Sequence, residues 1–306
     1  MERIVIAVGG NALLDPSGGQ SISRENRNMT KVSDSIAKLC KTGSYSVVVT
    51  HGNGSQVGDE IERNEHAKSR VPKLPLYALN AETQATIGSV IETSLRNSLA
   101  KAKVKRGVCA ILAHVLVDKR DAAFGHPTKQ VGPFYTRAEL RAELRLDRFD
   151  YIERNGKYRM VVPSPEPLRI LEIDSIKAAA NEGIVVTCGG GGIPSSVEGG
   201  RVRGVNAVID KDLTSQLLAT SLGASRLVIL TNADRLYRDF SDRGSGISEI
   251  RASEAKRLAR GMEEGTIRPK AEACARFIEN GGKAAYIGNI FELEGILAGR
   301  AGTTIH

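Results

Sequence analysis

Four consecutive glycines, Gly189 to Gly192, end a short β-branched apolar run, Ile184 to Thr187. About twenty residues further on stands Asp210-Lys211-Asp212, at the head of an apolar-periodic segment running from Leu213 to Leu222. Backbone without side chains turns sharply and can present several N–H groups to an oxygen-rich ligand. A cation held between two carboxylates adds charge beside it. A strand, a glycine nest and then a braced lysine suit phosphate. Taken alone, the same stretch also fits a surface hairpin with a flexible loop.

Two more predicted strands end the same way, at Gly9-Gly10 and at Gly52-Asn53-Gly54. Ligands of open parallel sheets bind beyond the carboxyl ends of the strands, so three glycine turns there would line one crevice. Lys129 in HPTK, Lys211 in DKD and Lys270 in TIRPK lie in polar, turn-rich settings. Phosphoryl transfer asks little covalent help of a protein; it needs positioning, positive charge and N–H donors around the moving group. Any one of these lysines could equally be a solvated surface residue. The chain has no GxxxxGK[ST] loop, no GxGxxG after its first strand, no HRD and DFG pair and no GxSxG elbow. Those absences disfavour P-loop, dinucleotide-binding, protein-kinase and serine-hydrolase readings. His51 and His126 are the histidines beside candidate loops, and such a histidine reads first as a structural hydrogen bonder.

The elements that must position these groups alternate. Strands are predicted at Ile4–Val8, Tyr45–Thr50, Val108–Val117, Ile184–Thr187, Arg226–Thr231 and Lys283–Ile287. Helices are expected over 25–41, 56–68, 81–103, 173–181, 213–222, 253–260 and 270–279, with a polar stretch at 15–20 and a proline-bearing loop at 71–76. The order implies a mostly parallel sheet with helices on both faces. Residues 118–165 break the alternation, with a hairpin signal at Asn155-Gly156 and prolines at 163, 165 and 167, and read as a small protruding subdomain. The helix at 81–103 carries an apolar stripe of Ile87, Val90, Ile91, Leu95 and Leu99, which suits either the core or a dimer contact.

With 306 residues, 41% hydrophobic and 25% charged, the composition is that of a globular protein. No apolar run reaches the roughly 18–20 residues that cross a bilayer, and the N-terminus lacks signal-peptide character, so a cytoplasmic protein is expected. The net charge of +8 is scattered and aromatics are 4%, which favours an anionic small substrate over nucleic acid. Cys40, Cys109, Cys188 and Cys274 form no CxxC pair and read as small buried residues, neither disulfides nor metal ligands.

AVGGNALL (7–14), VVVTHGNGSQVG (47–58), HPTKQVGPFY (126–135), VVPSPEP (161–167), GGGGIP (189–194), VIDKDL (208–213) and LTNADRLY (230–237) follow one another in an order and spacing that resembles the carbamate kinases, within the amino acid kinase superfamily. The resemblance spans nearly the whole chain. It implies a single α/β domain over 1–306: an open three-layer αβα sandwich on an eight-stranded, mostly parallel sheet. An N-terminal half, 1–175, would carry the small-substrate site and the protruding subdomain 118–165. A C-terminal half, 176–306, would carry the nucleotide site. It further implies a homodimer that transfers phosphoryl reversibly between ATP and carbamate, usually making ATP from ADP and carbamoyl phosphate.

By the same resemblance, Gly9, Gly10 and Asn11 meet the transferring phosphoryl, with Gly52, Asn53 and Gly54 across from them. Lys129 reaches the small substrate. Lys211 and Lys270 neutralise the ATP phosphates, with Asp210 orienting Lys211, and Gly190, Gly191, Asp234 and Tyr237 lie near the nucleotide. Mg²⁺ would be held mainly by phosphate oxygens, without a dedicated carboxylate cage. The chain departs from the family pattern in three places: Ser55 replaces a proline, Thr83–Ser89 replaces a stretch like SQGMIGY, and Thr266-Ile267-Arg268-Pro269-Lys270 replaces SMGPK.

Overall fold

The computed structural model describes residues 1–9, 22–142, 150–239, 241–261 and 267–306, with backbone alone at 22–27 and 141–142. Gly10, Asn11, the polar stretch 15–20 and Thr266 lie outside the described residues. The chain runs β1 (Glu2–Val8), α1 (Ile22–Lys41), β2 (Tyr45–His51), α2 (Gly54–Ala67), α3 (Leu76–Lys101), β3 (Gly107–Ile111) and β4 (His114–Leu116). There follow β5 (Lys129–Tyr135), α4 (Arg137–Ala142), β6 (Asp150–Arg154), β7 (Lys157–Val162), β8 (Arg169–Ile170), α5 (Ile173–Glu182), β9 (Gly183–Thr187), β10 (Ile193–Glu198) and β11 (Arg201–Gly204). The remainder is α6 (Lys211–Ser221), β12 (Arg226–Thr231), β13 (Leu236–Tyr237), β14 (Gly246–Ile247), β15 (Glu249–Ile250), α7 (Ala252–Arg260), α8 (Arg268–Glu279), β16 (Ala284–Asn289), α9 (Leu293–Leu297) and β17 (Thr303–Ile305).

Eight strands form the main sheet in the order β15-β17-β16-β12-β1-β2-β9-β3. The six from β16 to β3 are parallel, and β17 runs antiparallel to β16. β1 shows why its run of apolar residues is continuous. Ile4, Ile6 and Val8 face one buried cluster with Met29, Ile36, Ile91 and Leu95 of α1 and α3. Val5 and Ala7 face the other, with Ile176, Leu218, Ala255 and Phe277 of α5 to α8. Side chains alternate across a strand, so a strand covered on both faces must be apolar at every position. The result is a three-layer αβα sandwich.

Four of the five residues of the stripe on α3 are spent in this core: Ile87, Ile91, Leu95 and Leu99 are buried in the cluster with β1 and β2, whereas Val90 is half-buried and outside it. The stripe is therefore no argument for a dimer. α3 also starts five residues earlier than periodicity suggested, directly after Pro75. No helix among the described residues is long and apolar enough to cross a membrane.

The strand expected over Val108–Val117 is divided. β3 is the last strand of the main sheet, whereas β4 joins a four-stranded sheet, β11-β10-β4-β8. The break sits at Ala113, whose N–H donates to Gln84 Oε1 (2.9 Å) and whose carbonyl accepts from Ile193 N–H (2.8 Å). A side chain and a neighbouring strand have captured the backbone groups that would have continued the first ladder. Hydropathy carries no trace of that exchange, because both halves are apolar. The β10–β11 hairpin and the short strands β8, β13 to β15 and β17 also lacked a periodic signal long enough to read.

Between β4 and β8 the chain leaves to form a separate antiparallel sheet, β5-β7-β6. Its hairpin turns at Asn155 (φ 53°) and Gly156 (φ 75°), the left-handed pair that the Asn-Gly signal announces. β5 lies against α2, with Val131, Met160 and Val162 packed on Val57, Ile61, Leu79 and Val208.

Candidate active site

β1, β2 and β9 are neighbours and parallel, so their three glycine turns emerge side by side at one edge of the sheet. Backbone bonds keep the first two in step: Gly9 N–H donates to Leu230 O and Gly52 N–H to Val8 O, each at 3.0 Å.

Asn53 follows Gly52 and is fixed from behind. Its Nδ2 donates to Asn80 Oδ1 (3.0 Å) and Thr83 Oγ1 (2.9 Å), both on α3, and Asn80 donates in turn to Ala207 O (2.9 Å). The departing stretch Thr83–Ser89 is thus partly scaffold: Thr83 braces Asn53, and Gln84 holds the β3–β4 break. Ser55 sits in the first turn of α2, a place where proline's missing N–H costs nothing, so serine and proline serve equally.

The four glycines 189–192 are buried. A Cβ on Gly190 would lie 2.3 Å from the Asn53 side chain, and one on Gly191 2.4 Å from the carbonyl oxygen of Ile209. Both also have positive φ, 63° and 89°, where L side chains are strained. Gly191 and Gly192 give their amides to Cys188 O and Gly189 O within the turn, and Gly191 O accepts from Thr214 Oγ1 on α6 (3.0 Å). The run is a packed junction between β2, β9 and α6, and the surface-hairpin alternative does not hold. His51 beside it is fully buried, with Nδ1 against Gly52 O at 3.1 Å. Burial holds the imidazole pKa down at about 4, so the ring is neutral at pH 7. Cys40, Cys188 and Cys274 are buried thiols and Cys109 is partly covered; all four are free.

Three elements bring the lysines together. Lys129 opens β5, Lys211 opens α6, and Lys270 is in the first turn of α8 behind Arg268 and Pro269. Asp210 caps α6, accepting from the N–H groups of Asp212 (2.8 Å) and Leu213 (3.3 Å) through one oxygen. Its other oxygen takes the Lys129 ammonium at 2.5 Å. Asp212, 3% exposed, accepts from Lys211 on Oδ1 and from Lys270 on Oδ2 (3.0 Å). This corrects the expectation that Asp210 orients Lys211: Lys211 donates its hydrogen bond to Asp212, and Asp210 accepts from Lys129. In an i, i+2 pair at a helix start, the capping carboxylate points back over the helix end, while the residue two further on points along the flank that α8 covers.

Burial is the largest influence on Asp210, Lys211, Asp212 and Lys270. It would raise the Asp212 carboxyl, but Lys211 and Lys270 outweigh it and hold Asp212 well below the usual carboxylate range. Asp210 is likewise held low, by Lys129 against burial. Burial lowers Lys211 in spite of Asp212. At Lys270 burial is outweighed by attraction to Asp212 and Asp210, and the pKa rises. Three ammonium groups against two carboxylates leave these five residues one positive charge in excess, in low-dielectric surroundings where an arriving anion is strongly attracted. Among the described residues no group of three or more His, Cys, Asp or Glu could hold a metal ion.

Asp234 and Tyr237 meet just beyond the end of β12, with the phenol donating at 2.8 Å to either carboxylate oxygen. Arg243 lies over the Tyr237 ring at 5.2 Å. Reading the sequence found the lysines and set Asp212 beside Lys211, but missed that Asp212 also clamps Lys270, and missed Asn80 and Thr83 as the brace of Asn53. The repeated aspartate in DKD was a signal for the first; for the second there was none.

The model of the amino acid kinase family matches residues 2–289. The carbamate kinase of Halobacterium salinarum is 38% identical over 310 residues, spanning 100% of this chain and 98% of that protein. The carbamate kinase of Pyrococcus horikoshii is 36% identical over 312 residues, 99% of each. Among solved structures, carbamate kinase from Giardia lamblia bound to AMP-PNP superposes with a TM-score of 0.89 at 34% identity, covering 99% of this chain and 98% of that one.

Proposed function

The chain belongs to the amino acid kinase family, and from that premise we propose that it is a carbamate kinase, moving a phosphoryl group reversibly between ATP and carbamate. One observation carries the reading: three lysines from β5, α6 and α8 converge on Asp212, which is buried, and Asp210, which is largely covered, where α6 packs beside β1 and β2. Full-length similarity to carbamate kinases supports the same conclusion.

In this reading Lys211 and Lys270 lie along the nucleotide phosphates, with Asp212 holding both at a fixed spacing. Lys129 leaves Asp210 to meet the small substrate and the transferring group. Gly9, Gly52, Asn53 and Gly54 would surround that group together with Gly10 and Asn11; the amides of Gly9 and Gly52 are already given to Leu230 O and Val8 O, so those two glycines contribute close approach rather than donors. Gly190 and Gly191 shape the floor of the phosphate region, and Asp234 and Tyr237 border the nucleotide. Transfer is direct and in line, so the protein's contribution is alignment and charge. Mg²⁺ would ride on the phosphate oxygens and neutralise part of their charge; both carboxylates of the cluster are already turned to lysines.

The N-terminal half, 1–175, would hold the small substrate and the C-terminal half, 176–306, the nucleotide, in a cytoplasmic homodimer. β3 supports the dimer, since it ends the main sheet with Leu112, 46% exposed, just beyond it. The test of function is ATP formation from ADP with a panel of acyl and carbamoyl phosphates. Carbamoyl phosphate should give the highest kcat/KM. A higher value for acetyl phosphate would leave the kinase chemistry and remove carbamate as the substrate.

A further inference from the structure

β5 and α2 touch backbone to backbone. A Cβ built on Gly58 would lie 2.0 Å from Cα and 2.3 Å from N of Gly132, whereas ordinary Cβ contacts begin at 3.4 Å. The two glycines demand their lack of a side chain for different reasons. Gly58 is an unstrained helical residue with no room. Gly132 has φ +70°, and a Cβ there would meet Gly58 Cα at an ordinary 3.5 Å. Two further contacts hold β5 down on the same helix: the Tyr135 hydroxyl donates to Glu62 Oε1 at 2.5 Å, and Val131 packs on Val57 and Ile61. Lys129 is three residues before Gly132 on the same strand and reaches Asp210 from there.

We propose that Gly58 is a positioning residue for phosphoryl transfer: its missing side chain lets β5 seat on α2 at the depth that delivers Lys129 to the cluster. Any side chain at position 58 forces β5 back by more than an ångström, and the Lys129 ammonium goes with it. The inference rests on the carbamate kinase reading for its kinetic consequence and on geometry alone for the seating. Displacing a reacting or positioning group by about 1 Å costs on the order of a hundredfold in rate.

The chain has no tryptophan, so Phe134→Trp, on the exposed face of β5, gives a single fluorescent reporter of the seat. Arg159, which lies over the ring at position 134, donates to Gly132 O at the seat, so in that background Gly58→Ala should change acrylamide quenching of the indole and lower kcat for ATP formation from carbamoyl phosphate by about a hundredfold. AMP-PNP affinity by calorimetry should stay within twofold. Gly107→Ala, with no atom within 4 Å of the added methyl, is the inert control. A merely structural glycine would lose nucleotide affinity and transfer together, and that result overturns the proposal, as does unchanged quenching or unchanged kcat in Gly58→Ala. If Gly58→Ala does not fold, Tyr135→Phe loosens the same seat without a clash; quenching and transfer must then change together, and no change in either is equally fatal. Should the parent turn over no carbamoyl phosphate, the carbamate reading fails, while the quenching comparison still decides the seating.

Discussion

Lys129 crosses from the β5-β7-β6 sheet to place its ammonium 2.5 Å from Oδ2 of Asp210, the residue whose other oxygen caps α6. One carboxylate therefore fixes both the start of the helix that carries Lys211 and the resting place of the lysine assigned to the small substrate. Lys129→Ala should leave nucleotide affinity close to that of the parent while kcat falls about 10²–10³-fold, the scale for one preorganised charge stabiliser. Calorimetry with AMP-PNP beside steady-state kinetics separates the two. Parallel losses would place Lys129 on the nucleotide instead.

Lys211 and Lys270 share Asp212, so their effects should not add. Each alanine variant is expected to lose about 10²–10³-fold in kcat, and the double variant clearly less than the product. A fully multiplicative double variant, measured under saturating substrates, would mean that the shared clamp does not couple them.

Asp212→Asn leaves two buried ammonium groups without their common counter-ion, a loss of about 3–5 kcal/mol on the scale for breaking a buried pair. Nucleotide phosphates supply the missing negative charge, so ATP should raise the melting temperature of this variant more than that of the parent. An equal or smaller rise would show that phosphate does not approach these lysines.

The buried neutral ring of His51 makes stability depend on pH. Its folded pKa, about 4, is below the ordinary 6.5, so the unfolded chain binds the proton first as pH falls. The contribution is complete above pH 6.5, declines by roughly 1.4 kcal/mol per pH unit between 6.5 and 4, and is flat below. Urea unfolding of the parent and His51→Gln across that window should diverge by about this slope. Parallel curves would mean that the ring is already charged in the folded protein.

Thr83→Val removes the hydroxyl that receives Asn53 Nδ2. Asn53 keeps Asn80, so stability should fall by only about 1 kcal/mol, but KM for carbamoyl phosphate should rise severalfold with KM for ADP unchanged. A change confined to ADP would detach Asn53 from the small-substrate side.

In the proposed dimer, light scattering at micromolar concentration should return twice the 32.8 kDa of the chain. Leu112→Glu should shift that mass toward the monomer if the end of β3 lies in the interface. A parent that scatters as a monomer ends the dimer proposal.

The main strands and helices were legible because each buries one face or both, and burial writes a period into the residues themselves, as at Ile4–Val8 and along α3. The glycine turns were legible for a related local reason: Gly190 and Gly191 occupy backbone conformations that other residues resist. Lys129, Lys211 and Lys270 could be named as chemistry-bearing residues from their polar turn settings. The partners of Lys129 and Lys270 could not, because Asp210 meets Lys129 across 81 positions and Asp212 meets Lys270 across 58. Which of two aspartates one residue apart faces which lysine depends on the direction in which a helix leaves its cap and on what packs beside it. The break at Ala113 and the contact of Gly58 with Gly132 were hidden for the same reason. Each is decided by the close approach of elements distant in sequence, which leaves no period along the chain and exists only once the sheet and α2 are in place.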